Sequence, residues 1–252
     1  MLGLPEGVIA CLFDLDGVLT ETSVVHAAAW KQMFDEFLAT QPGGQAPFDI
    51  AHDYGRFVDG KPRYDGVRDF LASRGIQLPE GTSDDPPTAV TVRGLGNRKN
   101  VLVLEKIQQE GVDPYPGSLR YLQAARDAGL RRAVVSSSAN CEDVLRVSGL
   151  EQFVEVRVDG IVAEERHLPG KPAPDTFLLA ADMLGVPASA AAVFEDALAG
   201  VEAGRSGAFG AVVGVDRLGH AAALSEHGAT VVVQDLAELL PPTDGEGAEA
   251  RP

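Results

Sequence analysis

Cysteine is nearly missing from this chain: two residues, Cys11 and Cys141, in 252. A disulfide scaffold of this length would carry more of them, so the sequence reads as a protein of a reducing compartment. Both fall in segments that read as buried strand or helix start, which makes each a structural thiol rather than a reactive one. Basic residues are scarce too, with 21 Lys and Arg against 37 Asp and Glu and a net charge of −16. Neutralising a phosphate backbone takes clustered Lys and Arg, so nucleic acid is excluded as a partner. Long hydrophobic runs are absent. The N-terminal apolar stretch Val8–Phe13 has no basic flank before it and two aspartates behind it. That is too short for a membrane span and the wrong pattern for a signal peptide, so a soluble cytoplasmic protein is expected. Nor do glycine and proline reach the share of roughly 25–30% that marks low-complexity chains.

What is present is an alternation. Val8–Phe13, Arg132–Val135, Ala192–Phe194, Ala211–Val215 and Thr230–Val233 are short runs of β-branched and small apolar residues. Such runs suit strands buried on both faces of a parallel sheet. Helical patterns lie between them, over Ser118–Ala128, Glu142–Val147, Pro174–Leu184 and Leu198–Gly204, and the first three end near a glycine suited to the left-handed cap. Strand and helix in repetition predict an α/β fold, a Rossmann-like doubly wound parallel sheet. Residues 24–95 break the rhythm, with helical spacing over Ala27–Leu38 and Val67–Ser73 and no strand run. They are expected to form a small inserted helical cap domain between two parts of a core, 1–23 and 96–240. The last residues, 241–252, have almost nothing to bury and are expected to be disordered.

The chemistry-bearing residues sit at the strand ends. Asp14 and Asp16, two apart, would point the same way while Leu15 enters the core. Taken alone, this pair also reads as two acidic turn residues. The second run, however, ends in Ser136-Ser137-Ser138-Ala139-Asn140 and another in Glu195-Asp196, while Lys171 stands just before a helix with proline in its first turn. Open α/β sheets put ligands at such ends. A carboxylate nucleophile, further carboxylates for Mg²⁺, and a lysine and hydroxyl for phosphoryl oxygens are the parts of phosphoryl transfer. A serine hydrolase is disfavoured, because no G-x-S-x-G turn surrounds the serines. The five histidines show no metal-ligand spacing. His52, His167, His220 and His227 read as surface or loop residues. His26 either packs on Trp30 one turn along or couples the cap to the acid/base, and Trp30 itself reads as cap core.

Together, Asp14-Leu15-Asp16-Gly17-Val18, Ser136, Lys171 and Glu195-Asp196 resemble the four motifs of the haloacid dehalogenase superfamily, in its order. Leu19-Thr20-Glu21-Thr22, His26, Trp30-Lys31, the Ser136–Asn140 run and Lys171-Pro172-Ala173-Pro174-Asp175 are similar to its beta-phosphoglucomutase group. The resemblance implies Asp14 as nucleophile and Asp16 as general acid/base, with Thr20 and Thr22 as helpers. It implies Mg²⁺ held by Asp14, Asp16 (through its backbone carbonyl) and Asp196, with Glu195 close by. Ser136 and Lys171 would bind the transferring phosphoryl group, and Ser138, Asn140 and the cap's Arg63 the other phosphate. Arg63 lies in Gly60-Lys61-Pro62-Arg63, and Lys99 resembles a family lysine near the domain hinge. One departure stands out: Ala139 occupies a position where these mutases carry a lysine. The expected function is conversion of beta-glucose 1-phosphate to glucose 6-phosphate, with glucose 1,6-bisphosphate as activator. A sugar-phosphate phosphatase is the alternative and a non-enzymatic binding module a third reading, disfavoured by the intact motifs. The expected partner is a small sugar phosphate, and the expected state is a monomer.

Overall fold

Six strands pair into one parallel sheet in the computed structural model, which describes residues 2–217 and 219–241. The strands are β1 (Ala10–Phe13), β2 (Arg131–Val135), β3 (Val156–Val158), β4 (Ala191–Glu195), β5 (Ala211–Val215) and β6 (Val231–Val233). Their order is β3-β2-β1-β4-β5-β6, so β1 is central, with β2 and β4 hydrogen-bonded to it on either side. Chain order reverses at β1, which opens a crevice beyond its carboxyl end.

The alternation of side chains divides β1 between two cores. Cys11 and Phe13 enter one cluster with Val134, Phe194 and Tyr121; Ala10 and Leu12 enter the other with Ala133, Val193 and Phe177. Burial on both faces is why these strands read as unbroken apolar runs. β3 escaped the sequence reading because it has three residues and Arg157 stands in the middle.

Between β1 and β2 the chain is helical, with no strand. The helices are α1 (Thr22–Leu38), a π-helical segment Ile50–Val58, α2 (Arg63–Ser73), α3 (Val92–Glu110) and α4 (Pro116–Asp127). Trp30, Met33, Phe34, Phe37 and Leu38 line one stripe of α1 and meet Phe48, Tyr54, Phe70 and Leu95 in a separate apolar cluster. The near ends of α1 and α3 behave differently, for Ala29, Val103 and Ile107 join the sheet's own core. α3 is a single helix, so the expected boundary between 95 and 96 falls inside it.

The remaining helices flank the sheet: α5 (Cys141–Val147), α6 (Gly160–Glu165), α7 (Asp175–Leu184), α8 (Leu198–Ser206) and α9 (Ala221–His227). His52, His167 and His220 are exposed, whereas His227 is half-buried on α9. Both cysteines are free and buried. Among the described residues, no helix is long and apolar enough to cross a membrane. The tail expected to be disordered lies outside the described residues, apart from residue 241.

Candidate active site

The central strand delivers its carboxylate rigidly. The Asp14 amide donates to the Phe194 carbonyl at 2.9 Å, continuing the ladder one residue past β1, and Leu15 is fully buried beyond it. Gly17 follows with φ +90°, and a Cβ there would fall 1.8 Å from Asp196 Oδ2. Only glycine lets the turn after β1 lie against the carboxylate that ends β4.

Lys171 is the buried counter-charge. Its Nζ lies 2.5 Å from Asp14 Oδ1 and 2.5 Å from Glu195 Oε1, and donates to the Val135 carbonyl at 3.0 Å. Burial opposes its charge, but Asp14 and Glu195 outweigh burial and raise its pKa. Glu195 is wholly buried, and its second oxygen accepts from the Ala197 amide at 3.1 Å. The expected carboxylate pair is therefore divided: Glu195 faces Lys171, while Asp196 lines the cavity.

Asp16 sits in a relay of proton-carrying groups. Thr22 Oγ1 donates to Asp16 Oδ1, and Thr20 and Thr22 hydroxyls are 2.8 Å apart. His26 Nε2 faces Asp16 Oδ1 at 3.7 Å, and Lys99 Nζ is 3.1 Å from His26 Nδ1. With Lys99 as donor to Nδ1, a neutral ring carries its proton on Nε2, toward Asp16. Burial lowers His26 to about 4, assisted by Lys99, so the ring is neutral at pH 7. Burial also lowers Lys99 to about 7. Trp30 serves both the cap cluster and the cavity wall, with the Lys99 ammonium 5.0 Å above its ring.

The loop after β2 supplies donors. Ser136 Oγ accepts from the Ser138 amide at 3.1 Å and lies 3.5 Å from Asp16 Oδ2; Ser138 Oγ accepts from the Asn140 amide at 3.1 Å. Asn140 Nδ2 donates to Asn100 Oδ1 at 2.9 Å, and Arg63 Nη1 donates to the same oxygen at 3.4 Å. The structure thus brings Arg63 and Asn140 together through Asn100, a residue to which the sequence reading gave no role. Ala139 lines the cavity as a short apolar wall.

Asp14, Asp16, His26, Lys99, Ser138 and Asp196 border a cavity roofed by cap residues, about 570 Å³ when the part open to solvent is counted. Burial pushes the Asp14 carboxyl well above the usual carboxylate range despite Lys171, with Glu195 and Asp16 adding to the rise. Burial does the same to Asp196, joined first by Asp59. Asp59, on the cap loop, is pushed up to about 7 by burial and by Glu195, against the hydrogen bond from Tyr54. The sequence reading missed it, since an acidic residue before glycine reads as an ordinary turn. Converging carboxyls with too little positive charge make a hard-oxygen site short of a cation, and this fits Mg²⁺, which keeps several of its waters. Among the described residues, no three His, Cys, Asp or Glu side chains are gathered as a ready cage.

Comparison with known proteins agrees with this geometry. The family model of the haloacid dehalogenase-like hydrolases matches residues 9–207. A curated protein of Mycobacterium tuberculosis named beta-phosphoglucomutase is 58% identical over 247 residues, covering 95% of this chain and 94% of its own length. One of the same name from Bacillus subtilis is 30% identical over 206 residues, covering 81% of each chain. Among solved structures, a beta-phosphoglucomutase from Clostridium difficile superposes with a TM-score of 0.75 at 22% identity, covering 92% of this chain and 93% of its own. That likeness speaks for the fold.

Proposed function

Because the chain belongs to the haloacid dehalogenase-like hydrolase family, in its beta-phosphoglucomutase-like group, we propose that it converts beta-glucose 1-phosphate to glucose 6-phosphate through glucose 1,6-bisphosphate. The observation that carries the reading is Asp14, a strand-end carboxylate 2.5 Å from a buried lysine and open to a roofed cavity. The near full-length similarity to proteins named beta-phosphoglucomutase supports the mutase over other phosphoryl transfers. Residues 22–110 act as the cap and the sheet with its helices as the core. We take the monomer as the working unit of this reading. The two buried thiols suit a cytoplasmic enzyme.

In this mechanism phosphorylated Asp14 passes its phosphoryl group to the free hydroxyl of the sugar monophosphate. After the bisphosphate turns over, an Asp14 oxygen forms the bond to the other phosphorus while that phosphorus–oxygen bond to the sugar breaks. Asp16 takes the proton of the attacking hydroxyl in the first transfer and gives it to the leaving sugar oxygen in the second. Thr22 and His26 hold Asp16 for both tasks. Lys171 and Ser136 stabilise the phosphoryl oxygens, with Glu195 keeping the lysine in place. Asp14, Asp196 and the Asp16 carbonyl would hold Mg²⁺, which supplies neutralising charge between the nucleophile and the phosphate. Arg63, Ser138, Asn140 and Lys99 take the far phosphate and the sugar.

Ala139 favours a second reading, a sugar-phosphate phosphatase, because the far phosphate lacks a cation at that position. The experiment follows isomerisation and free phosphate together, with glucose 1,6-bisphosphate in catalytic amount. Isomerisation well in excess of phosphate release is expected; phosphate release without isomerisation would replace the mutase by the phosphatase. Ala139→Lys should lower the bisphosphate concentration needed for activation, a gain that salt erodes over a Debye length of about 8 Å. In a phosphatase the same substitution should change little.

A further inference from the structure

The seam between cap and core is asymmetric. On one side the two are joined by apolar packing, with Ala29, Val103 and Ile107 inside the sheet's cluster. The two chain crossings run side by side there, tied by hydrogen bonds from Glu21 to Asp113 (3.2 Å) and from Tyr115 to Leu19 (3.0 Å). On the far side, the cap loop Asp59–Pro62 meets the core through small groups and one side-chain hydrogen bond. Ser137 Oγ donates to the Gly60 carbonyl at 2.7 Å. Gly60 has φ +69°, and a Cβ on it would lie 2.8 Å from Ala197 Cβ. A Cβ on Gly170 would lie 2.1 Å from Pro62 Cγ, so this seam too closes only on glycine. An apolar side that stays shut thus faces a polar side closed by the Ser137–Gly60 hydrogen bond, the Asn140–Asn100 hydrogen bond at 2.9 Å and the Arg93–Glu164 ion pair at 2.7 Å. The first side acts as hinge, and on the second it is Ser137 that grips the loop beside Asp196.

We propose that Ser137 is the catch: its hydroxyl holds the cap loop shut over Asp14 and so sets how often a phosphoryl group on Asp14 meets water instead of sugar. The inference rests on the mutase reading above. Ser137 sits between Ser136 and Ser138, so the loop that receives the phosphoryl group is also the one that grips the cap. Gly60 lies between Asp59, which acts on Asp196, and Lys61 on the cavity wall, so its carbonyl is the point from which that edge of the roof is held. Ser137 touches no reacting atom in this account; it is a positioning residue, acting through the loop it holds.

A neutral hydrogen bond is worth a factor of roughly 2–10 in an equilibrium. Ser137→Ala should therefore raise phosphate released per isomerisation turnover by about that factor, with the melting temperature nearly unchanged. Amides of residues 59–62 should exchange with deuterium about 2–10-fold faster, while those of β1 and β4 keep their rates. Ser137→Thr, which retains the hydroxyl, should return both readouts toward wild type. Unchanged partition and unchanged exchange in Ser137→Ala would overturn the catch, as would failure of Ser137→Thr to restore either. The exchange measurement needs no turnover. If the wild type proves to hydrolyse without isomerising, the mutase reading fails while the catch is still judged by exchange at 59–62.

Discussion

The sheet and the cap solve burial with different residues. Around β1 the core is mainly Val, Ala and Leu on strands covered on both faces, with a smaller share of rings such as Phe13 stacked on Phe194 at 4.5 Å. The cap concentrates aromatic rings, with Phe34 stacked on Trp30 and Phe48 at 5.3 Å each and against Phe70 at 4.2 Å. A sheet fixes its strand ends through hydrogen bonds on both sides, so it can place Asp14, Ser136 and Asp196 relative to one another. A small helical cap lacks that lattice, and large rings give it a core of its own from few residues. Precise chemistry lives on the first and coverage on the second.

Three substitutions test that division, and the largest effect belongs to the sheet. Asp14→Asn should lower turnover by at least about 10⁴-fold, because the amide cannot form the covalent intermediate. Its melting temperature should hold or rise, since burial already disfavours the ionised carboxyl. A clear loss of stability would show that this strand end serves the fold as much as the chemistry.

Next comes the cap. Phe70 is fully buried, 4.2 Å from Phe34 and 5.0 Å from Phe48 between ring centroids. Phe70→Ala should cost about 3–5 kcal/mol in urea unfolding. Hydrogen exchange should speed up across α1, α2 and the π-helical segment first, leaving β1 and β4 protected. Equal acceleration in the sheet would mean that the two cores form one cooperative unit.

The smallest effect is electrostatic and belongs to the face between the regions. Asp59 is held at about 7 in the folded chain, against about 3.9 when unfolded. Between those values the folded state keeps a proton that the unfolded state has released, so stability falls as pH rises from about 4 to about 7 and levels off above. Asp59→Asn should therefore gain a few degrees over wild type at pH 7–8 in metal-free protein and little at pH 4, and Mg²⁺ should narrow the gap. A constant difference across that range would remove Asp59 from the charge balance of the site.

Legibility followed the same division. β1, β2, β4, β5 and β6 were visible because burial on both faces leaves an uninterrupted apolar run, and the residues beyond them carried the motifs. β3 was hidden by Arg157, and α3 by sparse apolar positions that serve two clusters at once. Glu195 read as a companion of Asp196 because adjacency in sequence says nothing about which of two strand-end residues turns inward. Asp59 and Asn100 carried no signal, since their partners are distant in the chain, and Ser137 read as one more hydroxyl of the run after β2.

By itself, then, the sequence determined the parallel α/β core, the helical insert and the residues at the ends of the strands. Those follow from periodicity and local spacing, which depend only on neighbours along the chain. Tertiary structure decided which partner each charge received: Lys171 between Asp14 and Glu195, Asn100 between Arg63 and Asn140, Ser137 beneath Gly60. Such choices join residues far apart in the chain, and they are settled by burial, which leaves each polar group to find its counterpart wherever the packed elements bring one within reach.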